Sequence, residues 1–379
     1  MNKKSKEGAE KKGDSTGRLI VIRPFCEEQE RSARMSDVLD PVLARLEDSG
    51  VEIVQIIRIA ELDAISMKGQ TVLFAVCLSA AGVNMEYYRL LEYFRENPDC
   101  LQDAVGGIMV DGGSELFTKA LARRLAFSAN MAGCTLPGNS LVEATGSLGN
   151  FHVLSKVRGV DQMEVYRQQT AALVHRLLEF RTVSSGCDGK KLSILAVHAS
   201  SRKTSNTLLL WDMVKEHLSQ ESSIREISLR DGSLRDCIGC RYEDCLHFGE
   251  IGKCFYGGII TEQVYPAIID CDVLVMICPN YNDALGANFT AFINRLTALF
   301  RVHDFSRKRV YALIISGYSG GDIVSEQIIG ALCFNKGFIL PGRFAMVETA
   351  NDPMSILEVP DIRTKAECFA GSIMESISG

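Results

Sequence analysis

Several features are missing from this chain, and each absence removes a class of protein. No apolar run approaches the roughly 18 residues of a membrane-spanning helix. Residues 1–17 are rich in Lys, Glu and Gly and contain no apolar core, so the segment is not a secretory signal. It predicts a disordered tail on a cytoplasmic protein. An excess of positive charge is also missing. Lys and Arg number 41 against 47 Asp and Glu, a net charge of −6, so nothing favours broad binding to nucleic acid. Prolines are few, 9 in 379 residues, while 46% of the chain is hydrophobic. That composition suits packed cores, and the length suits about two domains.

Cysteine, by contrast, is abundant, at 13. An odd total with no secretory signal argues against a disulfide framework. Nine are scattered (Cys26, Cys77, Cys100, Cys134, Cys187, Cys271, Cys278, Cys333 and Cys368), and several sit in apolar segments as small buried hydrophobes. The other four, Cys237, Cys240, Cys245 and Cys254, are clustered. Four thiolates from one segment can hold a [4Fe–4S] cluster or zinc, or they can remain free thiols or a reversible disulfide. Gly239, Arg241, Glu243 and Asp244 make the segment read as a surface loop.

The pattern of the remainder alternates between strand and helix. In the second half, strands are expected at 192–197, 224–229, 273–278, 310–316 and 344–347, with helices at 205–218, 262–269, 288–300, 322–335 and 362–377. In the first half, strands are expected at 19–22, 51–57, 72–78 and 107–110, with helices at 33–46, 85–94, 114–132 and 162–180. Near-continuous apolar strands between amphipathic helices imply parallel sheets covered on both faces. The halves also match residue by residue. Gly133-Cys-Thr-Leu-Pro-Gly138 corresponds to Gly337-Phe-Ile-Leu-Pro-Gly342, and Thr71–Cys77 to Asp272–Cys278. We read this as an internal duplication. The expected plan is a tail (1–17), a first domain (18–182), a polar linker (183–189) and a second domain (190–379).

In open α/β sheets ligands bind outside the carboxyl ends of the strands. Three loops of the second half fall there. The first, Ser200 to Thr207, has hydroxyls, an amide and two cations where a strand gives way to a helix, which suits an anion as well as an ordinary helix cap. The second, Pro279 to Gly286, supplies Tyr281 and side-chain amides, and the third, Ser316 to Asp322, supplies glycines. A phosphate cradle beside aromatic and glycine-rich loops suits a mononucleotide with a flat ring. At the point equivalent to the first loop, the first half has Arg23 to Arg31, with three carboxylates and Pro24-Phe25. No second site of the same kind is expected there, so one ligand per chain is anticipated.

With these residues the second half resembles the flavodoxin-like NADPH-dependent FMN reductases and iron–sulfur flavoproteins. Ala199-Ser-Ser-Arg-Lys-Thr-Ser-Asn-Thr207 is similar to their phosphate loop. Cys278-Pro-Asn-Tyr281, Phe292-Ile-Asn-Arg295, Cys237-Ile-Gly-Cys240 and Gly252-Lys-Cys254 are similar to further family elements. The departures are Ala199 for glycine, Ser201 for proline, and a displaced Cys245. The resemblance implies two tandem flavodoxin-like doubly wound parallel sheets, the first degenerate. FMN would be bound through Ser200, Arg202, Ser205, Asn206 and Thr207 at the phosphate, and Pro279, Asn280, Tyr281, Asn282, Asp283, Ser316, Gly317, Gly320 and Gly321 at the ring. It implies electron transfer from NAD(P)H to a small acceptor such as a quinone or flavin, with no side-chain acid or base. Two alternatives stay open: an electron carrier with a [4Fe–4S] cluster on Cys237, Cys240, Cys245 and Cys254, and a non-catalytic scaffold or sensor. The chain has no Gly-x-Gly-x-x-Gly fingerprint, so the nicotinamide would dock transiently. Relatives usually pair next to the flavin site, which suggests either a homodimer or an intrachain pseudo-dimer.

Overall fold

Apolar runs such as Val72–Val76 and Leu274–Cys278 are buried on both faces, so they form central parallel strands. The computed structural model describes residues 17–27, 29–180, 191–200, 204–218, 222–230 and 232–378. The expected linker, 183–189, lies outside them, as does the tail up to residue 16.

The first half runs β1 (Arg18–Ile22), α1 (Gln29–Asp48), β2 (Glu52–Ile56), β3 (Thr71–Cys77), α2 (Met85–Glu96), β4 (Val105–Asp111), α3 (Thr118–Met131), β5 (Leu141–Ala144), α4 (His152–Arg158) and α5 (Gln162–Glu179). The second runs β6 (Leu192–His198), α6 (Asn206–His217), β7 (Ser222–Ser228), α7 (Tyr242–Glu250), α8 (Tyr265–Asp270), β8 (Val273–Pro279), α9 (Ala287–Phe300), β9 (Arg309–Ser316), α10 (Gly321–Ile328), β10 (Ala345–Thr349) and α11 (Ile362–Ser378). The sheets have the orders β2-β1-β3-β4-β5 and β7-β6-β8-β9-β10, the same topology twice. Every strand pairing is parallel. This is the doubly wound, flavodoxin-like order, whose strand direction of travel reverses at β1/β3 and at β6/β8.

Some elements differ from the sequence expectation. β5 was not foreseen, because four residues are too few to display a period. α4 exposes Val153 and Val157, so it carries no core stripe. α7 places Cys245 on a helix where a loop was expected. The helices expected at 262–269 and 322–335 each contain a π-helical turn, Ile260–Val264 before α8 and Ile329–Phe334 after α10.

Two apolar clusters belong to one domain each, the first beneath α1 and α5, the second beneath α6 and α11. The largest is common to both domains and includes Phe74, Leu125 and Leu136 from the first with Phe292, Leu332 and Leu340 from the second. The matched glycine–proline segments meet at this shared core. A Cβ on Gly138 would lie 1.8 Å from the Gly337 carbonyl oxygen, and one on Gly342 would lie 2.4 Å from the Gly133 oxygen. Only glycine permits this approach. Asn130 adds polar ties, its Nδ2 donating to the carbonyls of Cys134 and Pro341 (3.0 and 2.6 Å). Among the described residues no helix is long and apolar enough to cross a membrane.

Candidate functional site

The crevice of the second domain is built from strand ends. β6 delivers the loop before α6, whose N-terminal residue follows Ser205. That serine makes no side-chain cap hydrogen bond among the described residues, and its hydroxyl instead lies 2.9 Å from the Thr207 hydroxyl. The first-turn N–H groups of α6 have no intrahelical acceptor and carry the positive end of the helix dipole. β8 ends at Pro279, and Asn280, Tyr281 and Gly317 complete the opposite wall. The space between is a cavity of about 500 Å3 lined also by Ser200, Arg230 and Asn351.

The placement of the remaining expected residues is uneven. Arg202 lies outside the described residues. Asn206 lines the cavity, but its side chain is committed to the scaffold. Its Nδ2 donates to the carbonyls of Ala350 and Asp352 (3.1 and 2.9 Å), and its Oδ1 accepts from the Ile356 N–H (3.3 Å). Asn280 Nδ2 donates to the Ser319 carbonyl (2.8 Å), to Ser316 Oγ (3.2 Å) and to Asp283 Oδ1 (3.3 Å). Its Oδ1 is buried with no hydrogen-bond partner among the described residues. Asn282 and Asp283 both adopt left-handed backbone, φ 54° and 55°. Gly320 and Gly321 turn their missing Cβ positions toward Asp283 and Val347, 2.0 and 2.3 Å away, so close approach within the scaffold already requires both glycines. Tyr281, on the cavity wall, is 64% exposed, and Tyr318, in the loop after β9, is 81% exposed.

Sequence reading missed Arg230, Ala350, Asn351 and Pro353, which follow β7 and β10. The strand-end rule covers all five loops, and applying it to only three left these out. It also missed Gln327, whose part depends on tertiary contact. His198 ends β6 with its ring half-buried; burial lowers its pKa, partly opposed by a hydrogen bond to the Ser200 backbone.

These features fit an FMN-like group. An uncapped helix start suits a phosphate, an orphaned buried acceptor suits a ring N–H, and the cavity connects the two. In the first domain a smaller cavity of about 340 Å3 opens at the ends of β1, β2 and β3, lined by Phe25, Glu27, Arg58, Ser79, Asn84 and Glu86. The side next to β4 and β5 is filled by the chain itself. Arg34 of α1 donates to Asp111, at the end of β4 (Nη2 to Oδ1 2.5 Å, Nε to Oδ2 3.0 Å). It also donates to the carbonyls of Gly112, Thr145 and Gly146, each at 3.1 Å. The Tyr166 hydroxyl donates to Asp111 Oδ2 (3.2 Å). Burial and the Asp111 charge hold that phenol well above its ordinary pKa, so it stays protonated. By strand register Asp111 and Gly112 correspond to Ile315 and Ser316, so a guanidinium occupies the place where Ile315 borders open space in the second domain.

Cys237, Cys240, Cys245 and Cys254 all line one small cavity of about 20 Å3 with Phe248 and Phe255. Burial, then the Cys237 and Cys245 thiols, raises the Cys240 pKa. Among the described residues no group of three or more His, Cys, Asp or Glu side chains is arranged to hold a metal ion.

Two doubly wound flavodoxin-like domains, one with a mononucleotide-sized crevice at its strand ends, define the class. The family model of NADPH-dependent FMN reductase matches residues 192–352, the greater part of the second domain, and supports an FMN reductase-like, flavin-dependent oxidoreductase. Similar solved structures include RosB with bound 8-demethyl-8-formylriboflavin-5'-phosphate (16% identity, 49% of this chain and 81% of that one, TM-score 0.36). Another is an NAD(P)H:quinone oxidoreductase from Methanothermobacter marburgensis (13%, 48% and 98%, TM-score 0.36). A third is an FMN-dependent NADH-azoreductase from Bacillus anthracis in complex with FMN (12%, 48% and 99%, TM-score 0.32). No curated protein sequence matches the chain.

Proposed function

We propose that the second domain binds one FMN and passes electrons from NAD(P)H to a small acceptor such as a quinone or a flavin. The observation that carries this reading is the continuous crevice from the uncapped start of α6 to Asn280 and Tyr281. Ser200, Ser205, Thr207 and the first-turn N–H groups would hold the phosphate, joined by Arg202, while the Asn206 side chain fixes the loop opposite. Pro279 to Asp283, Ser316 and Gly317 would border the ring, with Asn280 Oδ1 available to accept a hydrogen bond. Bound FMN supplies the hydride and electron chemistry, and the protein orients it. No side chain is assigned as acid or base. The exposed Tyr281 and Tyr318 leave room for donor and acceptor to stack in turn. In this reading the first domain takes the place of a second protomer, making an intrachain pseudo-dimer.

The test is titration of the metal-free protein with FMN, followed by steady-state assay with NADH or NADPH and a quinone. Quenched flavin fluorescence saturating at one equivalent per chain, with turnover, is expected. A protein that takes up no FMN would overturn the proposal.

A second reading, an electron carrier with a [4Fe–4S] cluster, is favoured by the convergence of the four cysteines on one cavity. Their donor chemistry fits, but their present arrangement does not form a ligand set. Anaerobic reconstitution with iron and sulfide, read by dithionite-bleached absorbance and iron analysis, decides it. Fewer than one iron per chain after reconstitution sinks the cluster.

A further inference from the structure

Adjacent residues of α10 reach in different directions. Gln327 reaches the ring loop: its Oε1 accepts from the Leu285 N–H (2.8 Å), and its Nε2 donates to the Asp283 carbonyl (3.3 Å). Glu326 reaches the first domain, where Arg124 Nε of α3 donates to its Oε1 (3.3 Å). The Glu326 side chain is 13% exposed and that of Arg124 is 52% exposed. A second contact lies one turn on, where Gly330 admits the Arg123 side chain: a Cβ there would be 2.8 Å from Arg123 Cδ.

The ring loop needs external support. Asn282 and Asp283 are consecutive non-glycine residues in left-handed backbone, a conformation that persists only where the surroundings over-determine it. The supports present are Asn280 within the loop and Gln327 from α10. The position of α10 is in turn set by what it rests on, which includes the first domain through α3.

We propose that Arg124 is a positioning residue: through Glu326 it seats α10 so that Gln327 holds the Asp283–Leu285 backbone in the conformation that presents Tyr281 to the flavin. This rests on reading that loop as the ring wall. It gives the first domain a part in the chemistry of the second beyond covering apolar surface. Glu326 also faces Asp322 and Arg123, and Tyr87 of α2 lies near the pair. Arg124 is the residue that bridges the domains by a direct ion pair to Glu326.

The experiment is hydrogen exchange by mass spectrometry on the full chain, without FMN and with it, following peptides that span 280–286. Variants are Arg124→Met, Glu326→Gln, Gln327→Leu, the Arg124→Met/Gln327→Leu double, and Arg124→Lys. A half-exposed ion pair is worth up to about 1 kcal/mol, or roughly a fivefold effect. Arg124→Met and Glu326→Gln should each speed exchange of 280–286 by about three- to fivefold and weaken FMN binding by a similar factor. Arg124→Lys should restore most of it. The double variant should exchange no faster than Gln327→Leu alone, because both act on one path. Unchanged exchange at 280–286 in Arg124→Met and Glu326→Gln, or additive effects in the double, overturns the proposal. The FMN-free measurement reports on the seat even if the wild-type protein takes up no flavin, so the two failures are separable.

Discussion

Leu136 and Leu340 exchange both backbone hydrogen bonds across the domain boundary, Leu136 N–H to Leu340 O at 2.9 Å and Leu340 N–H to Leu136 O at 2.8 Å. Each occupies the same place in its own copy of the repeated glycine–proline segment, so the pair marks a local two-fold relation between the halves. The glycines flanking it let the chains come that close. Gly138→Ala or Gly342→Ala would force backbone against backbone, where no flexible side chain can yield. Each should cost roughly 3 kcal/mol, at the upper end of ordinary overpacking, measured as a lower urea midpoint. Gly371→Ala, with open space around it, is the control.

The Arg34–Asp111 pair predicts a large structural penalty. Asp111 is fully buried, and removing Arg34 strips its carboxylate of the guanidinium while the Tyr166 hydroxyl stays. Arg34→Ala should lower stability by about 3–5 kcal/mol by urea denaturation. Below the unfolding transition, FMN stoichiometry should stay at one per chain, because the second crevice is untouched. A gain to two equivalents would mean that Arg34 alone excludes flavin from the first domain.

Ser205→Glu and Asn206→Ala separate ligand from scaffold. The first places a carboxylate beside the expected phosphate and should abolish measurable FMN binding at modest cost in stability. The second removes bonds to the carbonyls of Ala350 and Asp352. It should lower stability by about 1 kcal/mol, the net worth of hydrogen bonds that are only part-buried or exposed, and weaken FMN secondarily. Differential scanning fluorimetry beside a fluorescence titration checks both.

His198 gives a pH signature. Burial holds its pKa in the folded protein below the ordinary 6.5, so the unfolded chain binds the proton first. Stability is then complete above about pH 6.5 and falls as the pH drops through 6.5 toward the folded value. His198→Gln should flatten that part of the curve in urea melts between pH 5 and 8. An unaltered slope would place the titration elsewhere.

Thiol reactivity should sort the described cysteines by environment. Cys237 and Cys368 are exposed, whereas Cys77, Cys134, Cys271, Cys278 and Cys333 are buried. Burial pushes Cys271 and Cys333 up to about 12, so neither offers thiolate near neutrality. Iodoacetamide at pH 8, read by peptide mass spectrometry, should label the first pair fastest and the five buried thiols only on unfolding. Iron-dependent protection confined to Cys237, Cys240, Cys245 and Cys254 would support the cluster reading.

Much of the fold could be read from local pattern, because parallel strands buried on both faces appear as uninterrupted apolar runs. The start of α6 and the loop at Tyr281 were legible for a related reason: small and polar residues collect where such runs stop. What escaped depended on distant partners. Arg34 sits in a charged stretch of α1 and looks like a solvated cation until Asp111, 77 positions away, is brought beneath it. Gln327 resembles any polar helical residue until the loop at Leu285 folds onto it. β5 and the π-helical turns are too short to impose a period. The cysteine spacing revealed a group that shares a cavity, but not the helix that carries Cys245.

The shared core has a consequence in dilution. A site that needs a neighbouring domain for support, when that neighbour is a separate molecule, loses it as concentration falls below the dissociation constant. Here the neighbour is tethered in the same polypeptide, at an effective concentration that dilution does not change. Flavin affinity and specific activity should therefore hold constant from micromolar to sub-nanomolar protein, with no lag on dilution into assay.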